Sequence, residues 1–110
     1  MVNVTFFKDS SDQFIGFELL GHAEADEPGK DIVCASVSTL VITIINSVET
    51  FTEDAFVCES KEESGFIKLI INDELSNESK LLLNSLYLGI YGILSDEDNE
   101  QYITLNIKEV

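Results

Sequence analysis

Between Asp31 and Glu49 the chain carries no charged residue. An uncharged interval of that length must be buried on several sides or lie in lipid. Ile32, Val33, Val37, Val41, Ile42, Ile44, Ile45 and Val48 make it strongly β-branched, which by propensity favours strand. Yet the run from Ile32 to Phe51 has no turn signal and exceeds usual strand lengths, so a helix is predicted, with Asp31 as its N-cap. Apolar side chains around most of its circumference call for cover by a sheet, a second helix and a further subunit. A membrane span fits less well, because Ser36, Ser38, Thr39, Thr43, Asn46 and Ser47 interrupt the interval and no Lys or Arg flanks its far end.

The rest of the chain alternates strands with one further helix. Met1 to Lys8 has strand periodicity, with Val2, Val4 and Phe6 on one face. Asp9-Ser10-Ser11-Asp12 is a cluster of turn formers, and Gln13 to Leu20 resumes as the second arm of a hairpin. Strict alternation there puts Ile15, Phe17 and Leu19 on one face, and Phe14, Gly16, Glu18 and Leu20 on the other. Ala55 to Ser60 and Phe66 to Asn72 read as a second hairpin around a polar turn containing Gly65. Cys58, between Val57 and Glu59, is expected to be a small buried or half-buried hydrophobe without chemistry. From Asp73 to Leu94 the apolar spacing predicts a second, amphipathic helix capped by Asn72 or Asp73, in which Gly89 and Gly92 permit close approach of a neighbour. Gln101 to Val110 alternates again, with Ile103, Leu105 and Ile107 facing inward.

The predicted order is ββαββαβ, an α+β fold whose mostly antiparallel, mixed sheet carries both helices on one face. At 110 residues, 45% of them apolar, the chain suffices for one shared core, a single domain over 1–110. Six Lys+Arg against 21 Asp+Glu leave a formal charge of -15, which repels nucleic acid and anionic membranes and attracts basic partners. The same charge also serves as a solubility device. Two cysteines without a paired-cysteine motif, and no signal peptide, point to free thiols in the cytoplasm.

The residue types that carry chemistry gather between Gly21 and Ser38, which holds the only histidine, the only proline and Cys34. Gly21 frees the backbone just before His22, and a polar acidic stretch with Pro28-Gly29 reads as a mobile surface loop, a lid in the making. If Asp31 caps the helix, Cys34 lies in its first turn, where unpaired N–H groups and the positive dipole end favour a thiolate. His22 is the residue type to exchange a proton with that thiol and with a departing amine. Asp31 is a candidate to orient His22, and Ser38, one turn beyond Cys34, a candidate to line the site. One His and two Cys make a poor zinc set, and no phosphate-binding or redox motif is present, so no metal and no cofactor is expected.

The Gly21-His22-Ala23 start, the Gly29-Lys30-Asp31-Ile32-Val33-Cys34-Ala35 core and the Val37-Ser38 ending resemble the ribosomal-processing cysteine proteases of bacteria. The likeness covers the whole chain; where many members carry Ala, this one has Ser36. It implies a cysteine endopeptidase with Cys34 as nucleophile and His22 as its partner, acting as a homodimer. The implied substrate is a large-subunit ribosomal protein precursor, whose short N-terminal extension is removed. The resemblance also implies that the loop between His22 and Cys34, bounded by Gly21 and by Pro28-Gly29, moves when substrate binds. The alternative of another class is a non-enzymatic acidic binding or assembly factor for basic ribosomal proteins.

Overall fold

Strand β1 (Val2–Lys8) and strand β2 (Phe14–Leu20) form the first hairpin. Its turn is built as the short polar side chains suggest: the Asp9 carboxylate accepts the N–H groups of Ser11 and Gln13 at 2.9 and 3.1 Å. The computed structural model describes residues 1–21, 28–72, 74–96 and 99–110, with backbone alone for 28–31. Helix α1 (Pro28–Phe51) then leads to strands β3 (Phe56–Lys61) and β4 (Phe66–Ile71), helix α2 (Asn77–Ser95) and strand β5 (Ile103–Glu109). This is the expected ββαββαβ order. The five strands lie in the order β3-β4-β2-β1-β5, antiparallel except for the β1–β5 pair, and α1 packs against α2.

Burial explains why α1 is a helix against its own propensity. Val33, Val37, Val41, Ile44 and Val48 follow helical spacing and are all at most 8% exposed. Burying each contributes roughly 1.5 kcal/mol or more. The helix penalty of a β-branched residue is below about 0.7 kcal/mol, so packing wins. Ser36, Thr39 and Ser47 add hydroxyls that donate to the carbonyls of Ile32, Ala35 and Thr43 at 2.7 to 2.8 Å, which satisfies the polar groups within the helix. By length and composition Ile32–Phe51 would also cross a membrane; here its valine row is part of the protein core.

The sheet departs from strict alternation at one place. Phe7 pairs with Gly16 but Lys8 pairs with Phe14, so Ile15 is the extra residue of a β-bulge. The bulge turns Phe14 onto the core side, against Phe6 at 5.1 Å between ring centroids, and leaves Ile15 half-buried outside the core cluster. The expected Ile15, Phe17, Leu19 face is therefore corrected to Phe14, Phe17, Leu19. On β5, Ile103 is buried and Leu105 half-buried, but Ile107 is 49% exposed, because this edge strand runs out from under the helices.

Helix α2 begins later than expected. Asn72 N–H still donates to the Ala55 carbonyl at 2.9 Å, continuing the β3–β4 ladder, so the chain cannot turn into a helix there. Ser76 is the N-cap instead: its hydroxyl accepts from Ser79 N–H and donates to Asp54 at 2.7 Å. Asp73 lies outside the described residues. Gly89 does admit a neighbour, since a Cβ there would stand 3.1 Å from Leu40, whereas Gly92 faces open space.

Candidate active site

The site is assembled where β2 ends and α1 begins. Gly21 has φ 114, and a Cβ at this position would run into the Met1 carbonyl oxygen, so only glycine lets β2 leave the sheet beside β1. His22, which follows, lies outside the described residues, as does the segment to residue 27 that was expected to be a loop.

The start of α1 corrects the sequence reading. The helix opens at Pro28, not after Asp31, and so Pro28, Gly29 and Lys30 are helical rather than loop. Proline suits a first helical position because its missing N–H would be unpaired there anyway and its φ is already helical. Asp31 is thus within the helix and is no N-cap; its side chain is outside the described residues. Cys34 becomes the seventh helical residue, in the second turn. Unpaired N–H groups and the dipole act mainly in the first turn, so they do not bear on Cys34 as directly as expected.

Cys34 is half-buried and packs at the margin of the core. With Ser38, Ile42 and Ile45 it forms the α1 wall of a groove of about 400 Å³. The facing wall comes from Leu19 of β2 and Gly21 just beyond its end, Cys58 and Ser60 of β3, and Phe66 and Ile67 of β4. Gly21, Cys34 and Ser38 are thereby brought to one cavity. The α1 wall from Cys34 to Ile45 is roughly 16 Å long at the helical rise. That length accommodates about five residues of extended peptide. Its mostly apolar lining suits side chains that leave water. The hairpin contribution was missed in the sequence, where Phe66 and Ile67 read only as strand residues.

Cys58 was expected to be buried or half-buried and is exposed. It lies on an edge strand that α1 borders across the groove instead of covering. Partial desolvation of the thiol, with the carboxylates of Glu49 and Glu59 adding to it, pushes its pKa up. Glu49 follows Cys34 by fifteen residues, roughly 22 Å along the helix, so the Glu49 carboxylate that acts on Cys58 stands well away from Cys34. Among the described residues no group of His, Cys, Asp and Glu is arranged to hold a metal ion.

These facts give alkylation kinetics a clear meaning. Access alone favours Cys58, while its raised pKa leaves little thiolate near neutral pH. Iodoacetamide should therefore label Cys34 first, and peptide mapping that finds Cys58 labelled first would show that Cys34 is not activated.

A family model described as cysteine protease Prp matches residues 1–104. The ribosomal processing cysteine protease Prp of Bacillus subtilis (strain 168) is 25% identical over 111 residues, covering 97% of this chain and 99% of that protein. A Staphylococcus aureus (strain Mu50) protein of the same name is 27% identical over 88 residues, covering 80% and 81%. Among solved structures, the ribosomal processing protease Prp from S. aureus in complex with a substrate peptide superposes with a TM-score of 0.88 at 23% identity, covering 98% of this chain and 100% of that one. SMU.848 from Streptococcus mutans superposes with a TM-score of 0.81 at 29% identity, covering 100% and 96%.

Proposed function

Because this chain belongs to the cysteine protease Prp family, we propose that Cys34 is its nucleophile and His22 the group that takes and returns the proton. The Cys34 thiolate adds to the carbonyl carbon of the scissile peptide bond. His22, protonated by the thiol, gives its proton to the departing amine as the C–N bond breaks. Water, deprotonated by the same imidazole, then releases the acyl group from sulfur. Asp31 is assigned to orienting His22 and Ser38 to lining the groove beside the nucleophile. The observation that most favours this reading is that Cys34 opens onto a largely apolar groove long enough for an extended peptide.

The substrate in this reading is the N-terminal extension of a large-subunit ribosomal protein, processed in a reducing, cytoplasmic setting. Relatives named for ribosomal processing support it. So does the formal charge of -15, which attracts a basic protein over long range. The test is cleavage of a peptide copying such an extension, at rising ionic strength: cutting should occur and slow with salt. No cleavage of any such peptide would overturn the assignment.

The same reading takes two copies. Leu81 to Ser95 contains no charged residue, yet Leu81, Leu88 and Tyr91 are 68%, 72% and 53% exposed on α2. Two chains of charge -15 repel over most of their surfaces, and an uncharged apolar face is where they can meet. Sedimentation should give a dimer, and Leu88→Glu should give a monomer; an unchanged dimer would put the interface elsewhere.

A further inference from the structure

We infer, resting on the protease reading above, that Glu62 selects the charge of one substrate residue, favouring lysine or arginine next to the segment held in the groove. The register sets where this residue stands. Leu19 pairs with Ile67 and Lys61 with Phe66, so the turn that joins β3 to β4 lies at the same end of the sheet as Gly21. That end is where β2 leaves for His22, and Cys34 opens onto the same groove.

The turn is a single 3-10 turn, Glu62–Ser64, closed by Gly65 at φ 62, whose N–H donates to the Glu62 carbonyl at 3.2 Å. A glycine in the left-handed region fixes the return of the chain, and with it the place of the Glu62 backbone at the groove rim. Lys61 also borders the groove. However, Cys58 and Ser60 face α1, and strand alternation directs the Lys61 side chain to the opposite side of the sheet. Glu63, the next acid, already has an interaction within the protein. Glu62 is exposed, and among the described residues its carboxylate has neither an ion-pair nor a hydrogen-bond partner. Phe66 and Ile67 of the same hairpin, with Ile42 and Ile45 of α1, make up the apolar walls of the groove it borders. An unpaired carboxylate at the lip of an apolar groove discriminates between a cation and an anion at the one position that reaches it, independently of long-range attraction.

The experiment scans one Lys, Gln or Glu through the positions flanking the cut in otherwise identical peptides, at low ionic strength. Cleavage by the native sequence is read as kcat/KM, and binding to Cys34→Ala as fluorescence anisotropy. At one position Lys should exceed Gln by about two- to fivefold, the range of an exposed ion pair. Glu62→Gln should erase that preference and Glu62→Lys should reverse it, with Glu59→Gln leaving it in place. Absence of any positional preference, or one that survives Glu62→Lys, overturns the assignment. Binding keeps the outcome separate from catalysis: if nothing is cleaved but the positional preference in binding follows Glu62, the protease chemistry fails and the recognition stands.

Discussion

Replacing Cys34 by alanine is expected to lower cleavage of the extension peptide by about a thousandfold or more, as removal of a nucleophile does. His22→Ala should cost a comparable amount. The double variant should be little worse than either single one, because two residues that act in one proton-and-nucleophile cycle do not contribute additively. Cys58→Ala should keep its activity, since that thiol is exposed on β3 and is held protonated by partial burial and the nearby carboxylates of Glu49 and Glu59. Cys34 is half-buried at the edge of the core, so its loss leaves the central packing intact, and thermal unfolding should change little. Cys34→Ala cutting at the native rate would remove it from the mechanism altogether. Additive losses in the double variant would instead mean that His22 and Cys34 act separately.

Phe6→Ala should be the most damaging of the core truncations, by about 3 to 5 kcal/mol. Phe6 is fully buried in the middle of β1 and contacts three rings: Phe14 at 5.1 Å, Phe17 at 6.2 Å and Tyr87 edge-on at 5.3 Å. Both strands of the first hairpin and α2 meet on this side chain, and its removal leaves a cavity that none of them can fill alone. Domains of this size are stable by about 5 to 15 kcal/mol, so the variant should unfold at much lower urea concentration, or fail to fold. Phe51→Ala is the control: at 72% exposed, it should change stability by no more than about 0.5 kcal/mol. Near-equal midpoints for the two variants would mean that the aromatic cluster is not the centre of the core.

Much of this architecture is legible in the residues, and the misses share a physical cause. Alternation and turn formers reveal all five strands because each strand buries one face. The uncharged interval marks α1 because only burial makes so many β-branched residues worth holding in a helix. What periodicity cannot show is a one-residue insertion, so Ile15 and Phe14 exchange roles at the bulge. Nor can local capping rules tell that Asn72 is still held by Ala55 across the second hairpin, which delays α2 to Ser76. At α1 a good capping residue, Asp31, drew the predicted start away from Pro28, three residues earlier, which suits a first helical position equally well. For the site, Cys34 and Ser38 stand one helical turn apart and could be paired by spacing alone. The far wall depends on Leu19 pairing with Ile67, a contact 48 residues apart that no local pattern encodes.

Parallel pairing of β1 with β5 also fixes where foreign material can be attached. Because the two strands run the same way, Val2 sits by Tyr102 while Val110 donates its N–H to Lys8 at 2.9 Å. The two terminal residues of this sequence therefore emerge at opposite ends of the sheet, roughly 20 Å apart along β1 at the usual strand rise. Met1 emerges against Gly21, next to the groove. An affinity tag, fluorophore or surface linkage placed before Met1 would crowd peptide entry, whereas one placed after Val110 projects from the distant edge and leaves the groove open.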